Sequence, residues 1–389
     1  MPCYISSNEN RFYVEAEVTY GQVAAVTENH RFPAVKLSAK QAGERAERRD
    51  KTGGRTFAGI PPGGRRRTSY ELKTYMTAWD TSTEQPGYGP LFRAAMGAAP
   101  LRFAGGTIEA ASGNELTFTG LHGLTSGQGI TFGGELRFAA AVIDASRVSL
   151  NAPFTFQPTA GTPAGPTITY VLGSDPSSVS LYDYWSPAEA VQRVLCGAAV
   201  DKLALSINGD FHEFEFSGPA ADLLDSASFL SGQGGLIQYP SEPGNLAFNY
   251  AVIPGHLGQV WLGSTPERFY TLTGADLKLD NAINLRSNEF GSEGPRCVSA
   301  GRRNVSLGFS LYQQDNEATR SLYDAARQRS PISAIFQLGQ QQGQLMGVYL
   351  KSVVPEVPTF DDSDTRLQWK FVNCRAQGTV DDEMSIAFG

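Results

Sequence analysis

Glu213 and Glu215 are the residues whose type and spacing come nearest to catalytic chemistry. Alternate residues on one strand face stand about 7 Å apart, inside the separation that glycosidases use for an acid and a base. Two features count against that use. Glycosidase carboxylates come from different elements around a cleft, and this pair has a duplicate, Glu15 and Glu17, on another predicted strand. A repeated acidic strand face suits a lining better than a catalyst. His30, His122, His212 and His256 stand in no metal-ligand spacing. His212 falls on the apolar face of its strand, where a core histidine is expected. Cys3, Cys196, Cys297 and Cys374 make no CxxC or Cys/His pattern, so reduced thiols and no zinc site are expected. Asp361-Asp362-Ser363-Asp364 reads as an acidic turn. No GxSxG, Walker, HExxH or DxDxDG pattern occurs. The expectation is a protein that is not an enzyme and carries no cofactor or metal.

Positive charge is concentrated in one stretch. Residues 40–67 carry Arg45, Arg48, Arg49, Lys51, Arg55, Arg65, Arg66 and Arg67 against Glu44, Glu47 and Asp50. Gly-Gly and Pro-Pro pairs deny the later part regular structure. Structureless connections this long usually have a task. The favoured reading is a loop that docks on another subunit, its arginines pairing with carboxylates. A solvated loop and a nucleic-acid contact are the alternatives, the latter lacking interleaved aromatic platforms.

The elements that position these residues recur. Gly64, Arg65, Arg66, Ser69 and Tyr75 match Gly301, Arg302, Arg303, Ser306 and Tyr312 in register. Tyr70, Leu72 and Thr74 align with Leu307, Phe309 and Leu311, a period-two pattern for a strand with one buried face. Short helices are predicted after each copy, near 91–97 and at 317–328. Arg302 and Arg303 thereby join the candidate contact set. Strands are predicted at 12–19, 34–38, 167–172, 178–185, 202–207, 211–216, 345–354 and 366–375. Helical turns are predicted at 187–195, and an acidic arm at 379–389. Asn208-Gly209 signals a hairpin. Residues 105–155, rich in glycine and short apolar alternations, read as a small inserted β module.

The expected fold class is mainly β, with two tandem sandwich or barrel-like modules, each with a short flanking helix. The first covers 1–104 and 156–186. The second covers 187–389, with its own insertion at about 218–262. The 389 residues are 41% hydrophobic and 18% charged, which excludes a disordered chain. A net charge of -7 argues against wrapping nucleic acid electrostatically. No basic start precedes an apolar run and no window approaches a membrane span, so a soluble chain made in the cytoplasm, without a membrane role, is expected.

The segments ISSNENRFYVEAEVTYGQVAAV, RFPAVKLSAKQ, DKTGGRTFAGIPPGGRRRTSYELKTYMTAWD and VLCGAAVDKLALSINGDFHEFEFSGPA resemble the major tail tube proteins of long-tailed, non-contractile bacteriophages. The stretch LTFTGLHGLTSGQGITFGGELRFAAAVIDASRVSLNAPF is similar to a module found within them. The resemblance implies a virion protein, assembled in the host cytoplasm, whose sheets join around a ring and whose rings stack into a conduit for DNA ejection. Two modules per chain imply a trimeric ring with pseudo-sixfold symmetry, with a hexamer as the alternative. Tape-measure, tail terminator and tail tip proteins are the implied partners, and DNA passes without specific binding. Glu15, Glu17, Glu213 and Glu215 are then the expected lumen lining, and the basic loop the ring-to-ring contact. A β-rich tail adhesin or carbohydrate-binding module, using Tyr182, Tyr184 and Trp185, and a hydrolase using Glu213 and Glu215, are the competing readings.

Overall fold

A computed structural model describes residues 8, 10–43, 51, 53–57, 59, 64–186, 191–225 and 251–389. It is mainly β, with two α-helices among the described residues. The first half contains β1 (Arg11–Ala16), β2 (Arg31–Phe32), β3 (Ala34–Gly43), β4 (Arg66–Tyr75), α1 (Gly89–Met96), β5 (Leu101–Phe103), β6 (Gly106–Ser112), β7 (Glu115–Phe118), β8 (Gly129–Phe132), β9 (Glu135–Val142), β10 (Arg147–Leu150), β11 (Pro163–Ala164), β12 (Thr167–Val171) and β13 (Ser178–Ser186). The second contains β14 (Val191–Ala199), β15 (Lys202–Ile207), β16 (Glu213–Ala220), β17 (Asp222–Asp225), β18 (Gly258–Gly263), β19 (Glu267–Phe269), β20 (Leu272–Asp280), β21 (Asn284–Leu285), β22 (Val298–Ser299), β23 (Asn304–Tyr312), α2 (Glu317–Gln328), β24 (Ile332–Leu338), β25 (Met346–Val354), β26 (Thr359–Asp361), β27 (Gln368–Ala376) and β28 (Met384–Phe388).

The recurring sequence folds as a recurring hairpin. β3 pairs with β4 around Leu37↔Leu72, and β20 pairs with β23 around Leu277↔Leu307. Each long connection, 44–65 and 281–303, joins the two strands of its hairpin. Both hairpins belong to one 15-stranded sheet, whose main path is β19-β18-β24-β25-β27-β23-β20-β15-β16-β4-β3. The sheet is nearly closed and barrel-like, and β28 bonds β12 on one side and β25 on the other. Strands β4 and β16 pair from Tyr75↔Glu213 to Thr68↔Ala220, so the two halves of the chain share a continuous ladder.

The interior follows from alternation. Leu72 on β4, Phe214 and Phe216 on β16, Leu277 on β20 and Leu307 on β23 are all buried. Phe92 of α1 reaches across this interior. Its ring lies 5.1 Å from Phe214, 5.3 Å from Phe216 and 5.1 Å from Phe388. The two helices differ because their sequences do. GPLFRAAM is apolar on nearly every side and is buried except at Arg93. EATRSLYDAARQ is amphipathic; it buries Thr319, Leu322 and Ala326 and turns its charges to solvent. Asn316 caps it by accepting from the Thr319 amide at 2.9 Å.

A five-stranded sheet, β17-β14-β13-β1-β2, packs against α1. Here the structure corrects several expectations. Residues 191–195 are strand and not helix, because β14 pairs with β13 through Leu195↔Leu181; residues 187–190 lie outside the described residues. Strand β1 stops at Ala16, and Val18 is fully exposed. Nor does β1 present an acidic face, since Tyr13 shares that side and is buried with Tyr182 and Tyr184. Those two tyrosines are therefore core, not stacking platforms. Residues 379–389 form no free arm: Met384, Ile386 and Phe388 are buried in β28. His212 is fully buried, with Nε2 3.1 Å from the Leu257 carbonyl, and burial lowers its pKa. Among the described residues, neither helix is long and apolar enough to cross a membrane.

Strands β11-β6-β7-β10-β9-β8 form a six-stranded sheet with its own apolar cluster, including Ile108, Leu116, Ile130 and Val148. It docks on the larger sheet through a buried guanidinium. Arg137 on β9 has no exposed surface and donates to the Pro153 carbonyl (3.0 Å), the Leu136 carbonyl (2.9 Å), Gln337 Oε1 (3.2 Å), Gln259 Oε1 (3.3 Å) and Glu135 Oε2 (3.1 Å). It also lies 4.9 Å from the centre of the Trp261 ring. Burial lowers the Arg137 pKa to about 10, with Glu135 opposing the shift. Burial pushes the Glu135 carboxyl up, but Arg137 and the Thr155 and Gln259 hydrogen bonds outweigh it and leave a net lowered pKa. Arg137→Met is expected to cost about 3 kcal/mol or more, because it strands a buried carboxylate. The double variant Arg137→Met/Glu135→Met should recover much of that loss in calorimetry. A single variant that melts with wild type would show that the pair does not hold the sheets together.

Candidate functional site

The site is a sheet face. Strands β3, β4, β16, β15, β20 and β23 lie side by side, and the residues that alternate with their buried ones point outward in rows. One row reads Lys36, Lys73, Glu215, Ala204, Lys278, Ser306 and Arg375, the last from β27. The next reads Ser38, Glu71, Ser217, Lys202, Asp280 and Asn304. A third reads Tyr75, Glu213, Ser206, Asp276 and Gly308. These rows contain no Val, Ile, Leu, Met, Phe or Trp. Their surface is small, hydroxylic or charged, and a trough of about 640 Å³ runs over the first two rows.

The face is charge-balanced. The rows hold five cations (Lys36, Lys73, Lys202, Lys278, Arg375) and five carboxylates (Glu71, Glu213, Glu215, Asp276, Asp280). Lys73 bridges Glu213 at 2.7 Å and Glu215 at 3.0 Å. Those hydrogen bonds raise its pKa, so the ammonium stays charged and occupied. Lys202 lies 4.0 Å from Asp280, and Ser206 Oγ donates to Asp276 Oδ1 at 2.9 Å. The pair Glu213/Glu215 is thus neutralised by a neighbouring strand, which no reading of its own strand reveals. The signal was present in Ser69-Glu71-Lys73 and Lys278-Asp280, whose polar residues alternate with the buried ones.

Glu15 and Glu17 lie elsewhere. Glu15 belongs to the five-stranded sheet, with Oε2 3.0 Å from His30 Nε2. Burial raises its pKa, but the His30 hydrogen bond and the Ala16 amide reverse that and leave it lowered. It lines a polar cavity of about 690 Å³ with Trp79, Asp80 and Arg93. Glu17 is a structural acceptor. Its Oε1 takes hydrogen bonds from Ser180 Oγ (2.8 Å) and the Gly197 amide (2.7 Å), and Oε2 from Ser178 Oγ (2.7 Å) and the Gly21 amide (2.8 Å). The structure brings Glu213 and Glu215 together and does not join Glu15 or Glu17 to them.

The basic candidates divide similarly. Arg45, Arg48 and Arg49 lie outside the described residues. Lys51 and Arg55 are exposed. Arg65 donates to Asn288 Oδ1 and to the Asn288 carbonyl, both at 3.3 Å. The Arg66 amide donates to the Glu293 carbonyl at 2.9 Å, and its guanidinium lies 3.7 Å from Asp222. The first long connection therefore grips the second within one chain. Arg302 is exposed. Arg303, by contrast, is tied to Asp381 at 3.0 Å, to Glu383 at 3.5 Å and to the Gly173 carbonyl. No group of three or more His, Cys, Asp or Glu that could hold a metal occurs among the described residues.

No protein-family model matches the chain, and no curated protein matches it significantly. The carboxylates make separable expectations. Glu17→Ala removes four hydrogen bonds and should cost about 1–3 kcal/mol, read as a lower melting midpoint. Glu215→Ala leaves Lys73 paired with Glu213 and should fall within about 0.5 kcal/mol of wild type. Equal losses for both would remove the distinction between a structural and a solvated carboxylate.

Proposed function

We propose that the chain is the structural subunit of a phage tail tube. Copies close into rings, rings stack, and the polar sheet face lines the conduit through which DNA leaves the particle. The observation that carries this reading is the uninterrupted polar wall, continuous across the β4–β16 seam and lined from both repeats. A sheet face built mainly of small, hydroxylic and charged side chains stays hydrated. A lining that grips phosphate would need unopposed Lys and Arg to displace counterions; here Lys73 is held by two carboxylates, and the rows carry equal numbers of each sign. Duplex DNA would meet a face whose charges balance over the three rows, the cations of the first row being offset by the carboxylates of the other two.

Two further features support a ring. Strand β3 is ten residues long and ends the main path of the large sheet, pairing among the described residues with β4 alone. A long edge of this kind invites pairing with another copy. The six-stranded sheet docks on β12, β18, β24, β25 and β28, none of which contributes to the three polar rows, so that it would not obstruct a conduit. Two repeated hairpins per chain favour three chains per ring with pseudo-sixfold symmetry. The reading includes residence in the virion tail and partnership with tape-measure, terminator and tip proteins, in line with the resemblance to tail tube proteins.

The test is electron microscopy of concentrated protein and of purified tails, with averages down the long axis. Stacked rings with a hole wide enough for duplex DNA are expected. Particles that never stack, together with tails that lack the chain, would overturn the reading. In tubes that form normally, Glu213→Lys/Glu215→Lys puts three clustered cations on each copy's wall. DNA release should then slow and become more sensitive to salt; unchanged release would remove the wall from the conduit.

A further inference from the structure

The wall's charges balance over its three rows together and not within any one of them. The first row carries Lys36, Lys73, Lys278 and Arg375 against Glu215 alone. The rows on either side of it carry Glu71, Asp280, Glu213 and Asp276 against Lys202. Residues on one face of a strand stand about 7 Å apart along it. A cationic row is therefore bordered on both sides by acidic ones, as in Asp276-Lys278-Asp280 along β20.

The ion pairs use these charges unevenly. Lys73 is shared by Glu213 and Glu215, and Lys202 faces Asp280. Lys36, Lys278 and Arg375 are exposed, and their side chains have no ion-pair or hydrogen-bond partner among the described residues. Three cations in one row are left unpaired, against Glu71 and Asp276 in the rows beside it. Lys278 and Arg375 lie two strands apart, about 10 Å, and Lys36 lies four strands from Lys278, about 19 Å. Lysine and arginine carry their charge on longer stems than aspartate and glutamate, so an incoming anion meets these unoccupied donors first. From beyond a Debye length, about 8 Å at physiological salt, the three rows cancel. A polyanion is then not drawn to the wall from a distance and meets the donors only on close approach. Duplex DNA presents a phosphate about every 3.4 Å along each strand, so as one leaves the row the next replaces it and no single position is favoured.

We infer that Lys36, Lys278 and Arg375 are where the wall touches DNA: a cationic row that contacts the phosphodiester backbone in passing, between two acidic rows that limit its reach. The row runs along the hydrogen-bond direction of the sheet, so joining copies edge to edge carries it around the lumen as a belt, once per ring. The contact rests on the conduit reading and names the side chains through which the conduit meets its cargo.

A fluorescently labelled duplex of about 20 base pairs, titrated with the unassembled full chain, tests the contact. Three phosphate contacts predict weak binding at about 50 mM salt, with a log–log salt slope of about −2.7 and a loss of about fortyfold by about 200 mM. Lys36→Gln/Lys278→Gln/Arg375→Gln should lower the affinity about tenfold or more at the lower salt and flatten the slope. Its melting midpoint and tube formation should stay as in wild type, since the three side chains have no partner in their own chain. Arg102→Gln/Arg327→Gln/Arg366→Gln takes as many exposed charges from outside the wall and should bind the duplex as wild type does. Equal losses in the two triple variants, or none in the first, would overturn the contact and, where tubes form, leave the tube reading standing. Polyglutamate of matched charge binding more tightly than the duplex would give the row to an acidic protein and overturn it as a DNA contact. A chain that neither forms tubes nor occurs in purified tails would overturn the tube reading, and the belt with it.

Discussion

The pairing of β4 with β16 is the constraint on which the rest of the molecule depends. It runs from Tyr75↔Glu213 to Thr68↔Ala220 and joins a strand of the first repeat to a strand of the second. Because strand side chains alternate, this register sends Leu72, Phe214 and Phe216 inward together and Glu71, Lys73, Glu213 and Glu215 outward together. A slip of one residue would put the phenylalanines in water and the carboxylates against Phe92. The interior aromatic cluster and the exterior polar face are thus two consequences of one register. It also explains why Lys73, from one half, neutralises a carboxylate pair from the other.

The wall's electrostatics differ from what the acidic strands alone suggest. A uniformly acidic lining would repel DNA but also repel itself, and neighbouring carboxylates on one ladder are destabilising. Lysines from β3, β4, β15 and β20 lie beside the carboxylates, reduce that repulsion and balance the charge of the face as a whole. Hydration is kept by small hydroxylic side chains, Ser206, Ser217 and Ser306, in the gaps between charges. The same economy appears at Arg137, where a buried charge is tolerated because its donors meet carbonyls, amides and one carboxylate.

Duplication has not meant duplication of roles. Arg65-Arg66 and Arg302-Arg303 occupy matching positions, yet the first pair reaches out to hold the neighbouring connection, while Arg303 turns in to Asp381, Glu383 and Gly173. The helices have diverged likewise: α1 is a core plug under the five-stranded sheet, and α2 a surface helix. Each pair shares a backbone position and differs in what the rest of the chain places beside it.

Local pattern by itself determined much of this protein. Period-two alternation defined β4 and β23, the Gly-Arg-Arg repeat located the duplicated hairpins, and the amphipathic run at 317–328 marked α2. These properties depend on near neighbours in sequence, so they are legible there. Mainly-β character and the buried position of His212 follow from the same source. Tertiary structure decided the rest. Glu15 and Glu17 match Glu213 and Glu215 in spacing, but Ser178, Ser180 and Gly197, more than 150 residues away, make Glu17 a structural acceptor. Residues 191–195 have a helical pattern and become strand because β13 offers a ladder. Residues 384–388 look like the end of a tail and become the strand between β12 and β25. For Glu17 and for residues 384–388 the deciding partner lies far along the chain; for residues 191–195 it is the neighbouring strand β13. Hydrogen bonding to another element outweighs local propensity, and no single-strand pattern encodes it.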